Sequence, residues 1–345
     1  ARFVRTDYAA PAETPDADYP LRLTTGRLRD QWHSMTRTGI VPRLLAHSPE
    51  PEVSLHPDDM AAHGLADGDL ARIVSRRGSL VLKARASAEM RRGDAFIPMH
   101  WGSRQMSGAG VNALTLPVFD AYSKQPELKH AAARMERCDA SLRSVLMRAF
   151  ANNDADADGR LLQCMREITP LLQCCEYAAL APVEGAAAML LTLELATTDD
   201  AATGQLDAIF GLADDGTLMR YEDAAMNVEK RARIVDGRLV ALRLSGETAG
   251  AARLKQLMLS AGDVAGLGLQ LLAPLAELGA PQADRGRMVC SCVGVPELDI
   301  RAATRRGASL AELQAALKCG TQCGSCVPEL RRMLDEAPRT EARAA

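Results

Sequence analysis

At 345 residues the chain is long enough for two or three domains, and its 47% hydrophobic content can fill a core in each. A formal net charge of −3 excludes a general attraction to nucleic acid or to a membrane surface, and no apolar run is long enough to span a bilayer. Nine cysteines, most without disulfide-like spacing, and the lack of a signal peptide point to a reducing, cytoplasmic compartment, while an opening Ala1 with no domain-opening pattern reads as a fragment of a longer polypeptide.

The first domain is expected over residues 1–137. Leu21 to Thr25 is a short strand that delivers Gly26-Arg27 at its end. Pro57 to His63 is a short helix, with proline near its start and Gly64 after its end. Asp67-Gly68-Asp69, Arg76-Arg77-Gly78 and Arg91 to Asp94 are turns that separate the strands Leu70 to Ser75, Ser79 to Arg85 and Ala95 to Met99. Short strands with turn signals at close intervals argue for a compact β-barrel. Within it, Thr24-Thr25-Gly26-Arg27 combines hydroxyls, close backbone approach and a guanidinium suited to phosphate. The loop from Gln31 to Arg37 adds Trp32, His33 and Ser34, and Asn112 and Lys129 are further polar candidates. Each has a bland alternative, as a turn, a half-buried tryptophan, a capping asparagine or a solvated lysine, and no Gly-x-Gly-x-x-Gly or phosphate-loop motif decides between them.

Residues 138–284 read as an α+β spacer. Met189 to Glu194 is a strand, and Arg231 to Val235, Asp236-Gly237 and Arg238 to Ser245 form a hairpin followed by a helix-like stretch from Ala249 to Ser260. The aspartate-rich run Asn152 to Gly159 is expected as a solvated loop, since Gln163 stands where a calcium loop needs its closing glutamate. The hairpin and helix are similar to the small terminal domains of flavin-dependent disulfide-type reductases, without a flavin motif.

Residues 285–337 carry the strongest signal, ahead of a tail at 338–345. Cys290-Ser291-Cys292 and Cys323-Gly324-Ser325-Cys326 are two tight thiol pairs separated by 30 residues, a ligand set for one metal centre. Zinc knuckles usually pair two Cys-x-x-Cys units, so the Cys-x-Cys spacing tilts the choice toward a 2Fe-2S cluster, with a zinc-stapled interaction protein as the alternative. Pro-Glu-Leu follows each pair at Pro296 and Pro328, which places both pairs at expected helix N-termini. Ser309 to Glu312 is a capping box for a helix that Gly320 can close, and Gly307 can close the one before. Cys319 is a fifth thiol, expected as a spare at a helix end.

Cys290-Ser291-Cys292 with Gly320 to Leu330 resembles the bacterioferritin-associated-ferredoxin type of 2Fe-2S domain, which implies Cys290, Cys292, Cys323 and Cys326 as ligands. Tyr19 to Arg27 with Trp32 to Arg37, followed in order by His56 to Ala61, Asp67 to Asp69, Ser75 to Gly78, Pro98 to Gly102, Asn112 to Thr115 and Ser123 to Lys129, resembles the molybdopterin-dinucleotide-binding domain of the dimethyl-sulfoxide-reductase superfamily. That resemblance implies a double-psi β-barrel. It also implies that Thr25, Gly26, Arg27, Leu28, Arg29, Asp30, Gln31, Trp32, His33 and Ser34 wrap the dinucleotide and pterin, with Asn112, Lys129 and Trp101 in the same site.

The order of the three parts resembles the C-terminal part of the bacterial assimilatory nitrate reductase family. This implies a molybdopterin guanine dinucleotide cofactor, a 2Fe-2S cluster, and a 4Fe-4S cluster in a missing N-terminal part, since neither a Cys motif for it nor a molybdenum ligand is found here. Nitrate is the implied substrate. The implied partner is an electron donor, a nicotinamide-dependent reductase, a ferredoxin or a flavodoxin, and a formate dehydrogenase of the same superfamily is the competing reading.

Overall fold

The structure, a computed structural model, describes residues 7–39, 41–139, 142–197, 199–273 and 285–336. The tail expected at 338–345 and the end of the spacer at 274–284 lie outside the described residues.

Six strands close a barrel: β1 (Leu21–Gly26), β2 (Glu52–Leu55), β3 (Leu70–Val74), β4 (Ser79–Ala86), β5 (Asp94–Pro98) and β6 (Ala131–Arg137). Their order around the barrel is β1-β5-β2-β4-β3-β6, with β1/β5 and β2/β4 parallel and the other pairs antiparallel. Alternation fills the interior: Leu23, Leu55, Ile73, Leu82 and Ile97 are essentially fully buried, each contributing roughly 1.5–3 kcal/mol of burial. Two short helices, α1 (Pro42–Leu45) and α2 (Pro57–Ala62), lie in the connections, and the His56 side chain caps α2 by accepting from the Asp58 N–H at 3.1 Å.

The register Gly26 to Pro98 brings the carboxyl ends of two parallel strands together. The segments that follow them, 27–34 and 99–112, therefore leave the barrel side by side.

The spacer is one antiparallel sheet in the order β10-β11-β12-β7-β9-β8. Its strands are β7 (Arg143–Ala151), β8 (Tyr177–Glu184), β9 (Ala188–Ala196), β10 (Met219–Asp223), β11 (Val228–Val235) and β12 (Arg238–Ser245), with helices α3 (Ala157–Ile168), α4 (Asp200–Phe210) and α5 (Ala251–Ser260). The expected hairpin forms around Asp236 and Gly237, both at positive φ. The aspartate run is shorter than expected as a loop, because α3 starts inside it and Arg160 pairs with Asp154.

Barrel and spacer are joined through both backbone and side chains. Met106 bridges Ala179 on β8, and the Leu180 N–H donates to the Gln105 carbonyl at 2.8 Å. Lys83 on β4 lies 2.7 Å from Glu50 and 2.6 Å from Glu194 on β9, and the buried Tyr177 hydroxyl donates to Glu50 at 2.8 Å.

The last module packs β13 (Met288–Cys290), β14 (Val295–Pro296), α6 (Glu297–Arg305), α7 (Leu310–Leu317) and α8 (Val327–Glu336) around Val289, Ile300, Leu313, Leu330 and Met333. The Ser309/Glu312 capping box is present in full. Lys318, in the left-handed region at φ 57°, closes α7, so the helix stops ahead of the glycine expected to end it, Gly320. Among the described residues no helix is long and apolar enough to cross a membrane.

Candidate cofactor cleft and cysteine centre

The ends of β1 and β5 open onto a cleft of about 340 Å³ lined by Ser34, His100, Trp101, Arg104 and Asn112, among others. Gly110 lets this loop close, since it stands at φ +80° and a Cβ there would lie 2.4 Å from the Trp101 carbonyl oxygen. His100 is almost fully buried and fixes the two segments together: its Nε2 accepts from the Leu28 N–H at 2.9 Å, which leaves Nδ1, 3.1 Å from the Trp32 carbonyl, as the donor. It belongs to the quoted Pro98 to Gly102 motif but was not among the expected site residues, because a histidine that serves backbone groups leaves no charge pattern in the sequence.

Thr25 is buried and its hydroxyl donates to the Leu128 carbonyl at 2.6 Å, while Lys129 Nζ donates to the Thr25 carbonyl at 3.0 Å. Residues 128–129 are thereby tied to the β1 end. Gly26 is constrained by Phe96, whose ring a Cβ would approach to 2.8 Å. Arg27 and Arg37 flank the exposed Trp32 ring at 5.1 and 5.6 Å, and His33 meets the same ring edge-on at 4.8 Å. Ser34 holds φ 47°, in the left-handed region that non-glycine residues seldom adopt. Exposed cations, a flat ring and a glycine-permitted cleft are a donor set that fits an anionic, ring-bearing ligand.

Gln31 turns inward, accepting the Thr38 hydroxyl at 2.8 Å. Arg29 and Asp30 face the cysteine module, and Leu28 packs against the barrel core.

Burial holds His100 below its ordinary value of 6.5. The unfolded chain therefore takes up this proton first as pH falls, so stability is intact above about pH 6.5 and drains below it. Urea unfolding at about pH 7.5 and about pH 5.5 should show wild type losing more stability between the two than His100→Gln does.

The four paired thiols converge in the last module. Cys290 and Cys326 are buried in its core, where burial and then the neighbouring Cys290 push the Cys326 thiol up to about 12. Cys292 and Cys323 lie toward the surface with sulfurs 3.1 Å apart, the Ser325 hydroxyl first and then its N–H holding Cys323 below its usual value. The thiols thus meet as two couples, and among the described residues no three His, Cys, Asp or Glu side chains gather around a single-ion site. Two couples match a two-iron centre, which takes two thiolates per iron.

Cys326 directly precedes α8, as expected. Cys292 does not begin a helix: the turn through Gly294, whose N–H donates to the Cys290 carbonyl at 2.8 Å, and β14 stand between it and α6. Only the second pair therefore lies at a helix start. Cys319 stands at a helix end as expected, just past the Lys318 cap of α7, and is fully buried with its thiol donating to the Leu313 carbonyl at 3.7 Å.

Comparison with known proteins bears on both centres. Residues 21–132 match the molydopterin dinucleotide binding domain, and residues 288–336 match the BFD-like [2Fe-2S] binding domain. A nitrate reductase of Klebsiella oxytoca is 30% identical over 93% of this chain and 34% of its own length. A nitrate reductase of Symbiobacterium thermophilum is 39% identical over 37% of this chain and 17% of its own length. The F420-dependent formate dehydrogenase subunit alpha of Methanocaldococcus jannaschii is 37% identical over 38% of this chain and 19% of its own. A solved structure, acetylene hydratase from Pelobacter acetylenicus, aligns with 38% of this chain and 21% of its own at 25% identity and TM-score 0.32. The chain spans about a third of the Klebsiella protein and under a fifth of the other two curated relatives. The barrel thus matches the molydopterin dinucleotide binding domain and the terminal module the BFD-like [2Fe-2S] binding domain, on a single chain similar to one nitrate reductase over 93% of its length.

Proposed function

We propose that this chain is the cofactor-binding and electron-entry portion of a cytoplasmic, molybdenum-dependent nitrate reductase that serves nitrogen assimilation. One observation carries the reading: the similarity to the Klebsiella nitrate reductase runs through barrel, spacer and cysteine module, whereas the formate dehydrogenase match covers 38% of the chain, about the length of the barrel alone. The domains in this reading are 1–137, 138–284 and 285–337.

The bound molybdenum cofactor would supply the two-electron removal of an oxygen atom that turns nitrate into nitrite. The chain's own part is to hold it and to deliver electrons. Arg27 and Lys129 offer charge-assisted hydrogen bonds to its phosphates, worth about 1.5–3 kcal/mol each. Trp32 and His33 offer ring faces, Ser34 and Asn112 polar contacts, and Trp101 a wall. Cys290, Cys292, Cys323 and Cys326 would hold the 2Fe-2S cluster, which passes electrons singly from a nicotinamide-dependent reductase, a ferredoxin or a flavodoxin.

The test is the full-length polypeptide, assayed for bound molybdenum and iron and for dye-linked turnover with nitrate and with formate. Nitrate turnover is expected, and Arg27→Ala is expected to lower molybdenum–pterin occupancy with the iron content unchanged. Formate turnover without nitrate turnover would move the assignment to the competing enzyme. Full occupancy with loss of the cluster in the Arg27 variant would remove the site from the barrel.

A further inference from the structure

Both cysteine loops and the segment leaving β1 meet at one buried carboxylate. Asp30 is 5% exposed, and its Oδ1 accepts the Ser325 hydroxyl at 3.2 Å while its Oδ2 accepts the Ser291 hydroxyl at 3.4 Å. Ser291 is the residue between Cys290 and Cys292, and Ser325 lies between Cys323 and Cys326. A side chain of the barrel domain thus holds a hydroxyl from inside each thiol pair. Arg29 completes the junction, donating to Asp30 Oδ2 at 2.8 Å, to the Val289 carbonyl at 2.8 Å and to Glu329 at 2.7 Å. His47 Nδ1, buried without a hydrogen-bond partner among the described residues, stands 3.9 Å from the same carboxylate.

We infer that Asp30 is a positioning residue for the iron–sulfur cluster: it docks both cysteine loops on the barrel and holds the cluster's reduction potential down. The inference rests on the reading of the four paired cysteines as 2Fe-2S ligands. Its chemistry follows from a competition for one proton. The Ser325 hydroxyl is 3.1 Å from Cys323 Sγ and 3.2 Å from Asp30 Oδ1, and it cannot serve both at once. The carboxylate competes for that proton and weakens the hydroxyl's bond to the sulfur. Hydrogen bonds to cluster sulfurs raise the reduction potential, so diverting one lowers it. A nearby negative charge acts in the same direction, because the reduced cluster is the more anionic form. Arg29 offsets only part of that charge, since it is shared between Asp30 and Glu329, the latter also faced by Arg287 and Arg332.

An interdomain ion pair with no role in tuning would hold the module in place and leave the potential alone. Arg332 with Glu89 is such a pair, joining barrel and module outside the cysteine loops. The full chain, purified without oxygen, is therefore compared with Asp30→Asn, Ser325→Ala and Glu89→Gln. Iron and sulfide are counted, and the midpoint potential is followed by the electron paramagnetic resonance of the reduced cluster. At full iron content Asp30→Asn is expected to shift the midpoint upward and to change the g-values, and adding Ser325→Ala is expected to remove part of that shift. Glu89→Gln is expected to leave the potential unchanged.

Should Asp30→Asn not fold, Ser291→Ala/Ser325→Ala leaves the carboxylate in place and cuts both loops loose. Faster amide exchange across residues 290–292 and 323–326 then supports the docking, and unchanged exchange overturns it. A loaded Asp30→Asn chain with an unshifted potential sinks the inference alone. A wild-type chain without iron sinks the cluster reading, and the inference with it.

Discussion

Purified without oxygen, the chain is expected to be brown with iron and acid-labile sulfide, and Cys290→Ser or Cys326→Ser to bleach it. Both thiols lie in the core of the last module, at 3% and 2% exposure, beside Val289, Leu313 and Leu330. A serine at either position offers a hard, protonated oxygen where iron needs a soft anionic sulfur, and solvent has no route to replace it. The loss reaches beyond colour. The matched module is 49 residues long, below the size at which a hydrophobic core alone gives ample stability, so cluster binding energy is also folding energy. Each ligand variant should lose protease resistance across 288–336 while the barrel stays folded. Cys319→Ala should keep its colour, because that thiol donates to the Leu313 carbonyl, and its removal costs only a small cavity. A colourless wild-type chain carrying one zinc would falsify the cluster assignment.

Deleting residues from Arg285 onward in the full-length enzyme is expected to abolish turnover with the physiological donor and largely to spare nitrate reduction driven by a small dye. The geometry makes the separation clean. Module and barrel touch through Arg29, Asp30 and Glu89, while Arg27, Trp32, Ser34, Trp101 and Asn112 make none of these contacts. The sequence offers Arg301, Arg305, Arg306, Lys318, Arg331 and Arg332 as a docking face for an acidic donor, and the structure leaves fewer of them available. Arg301 is taken by Glu297, and Arg332 by Glu89 and Glu329, whereas Arg305, Arg306, Lys318 and Arg331 remain exposed. Equal loss with both donors, in protein still loaded with molybdenum, would assign the module to the chemistry instead of the relay.

Strands bounded by explicit turn chemistry were legible in the sequence. β3, β4 and β5 follow the Asp67-Gly68, Arg77-Gly78 and Gly93-Asp94 turns to within a residue, and the β11/β12 hairpin forms around Asp236-Gly237. β6 and β8 were not legible. Ala131-Ala132-Ala133 gives no alternation to detect, and β8 is a run of six buried residues whose periodicity cannot separate strand from helix. The two cysteine pairs were legible because the spacing within each is local, and the structure brings all four thiols into one module. Asp30 was expected at the pterin, for its place in a motif run gives no hint that residues 261 and 295 positions away supply its hydrogen bonds. Long-range pairing of this kind is decided by how domains dock, and no local pattern encodes it.

The crossover that seats Met106 against Ala179 also settles what the spacer can do in a crowded solution. A six-stranded open sheet has two rims, and each is a template for a stray strand. One rim, β8, is occupied by residues 105–107 of the same polypeptide, with hydrogen bonds to the backbone at Ala178 and Leu180. The other, β10, is five residues long and carries Arg220, Glu222 and Asp223. Self-templated polymerisation is thus blocked at one border by occupancy and at the other by charge, and loosening the cofactor-side loop would unblock the first.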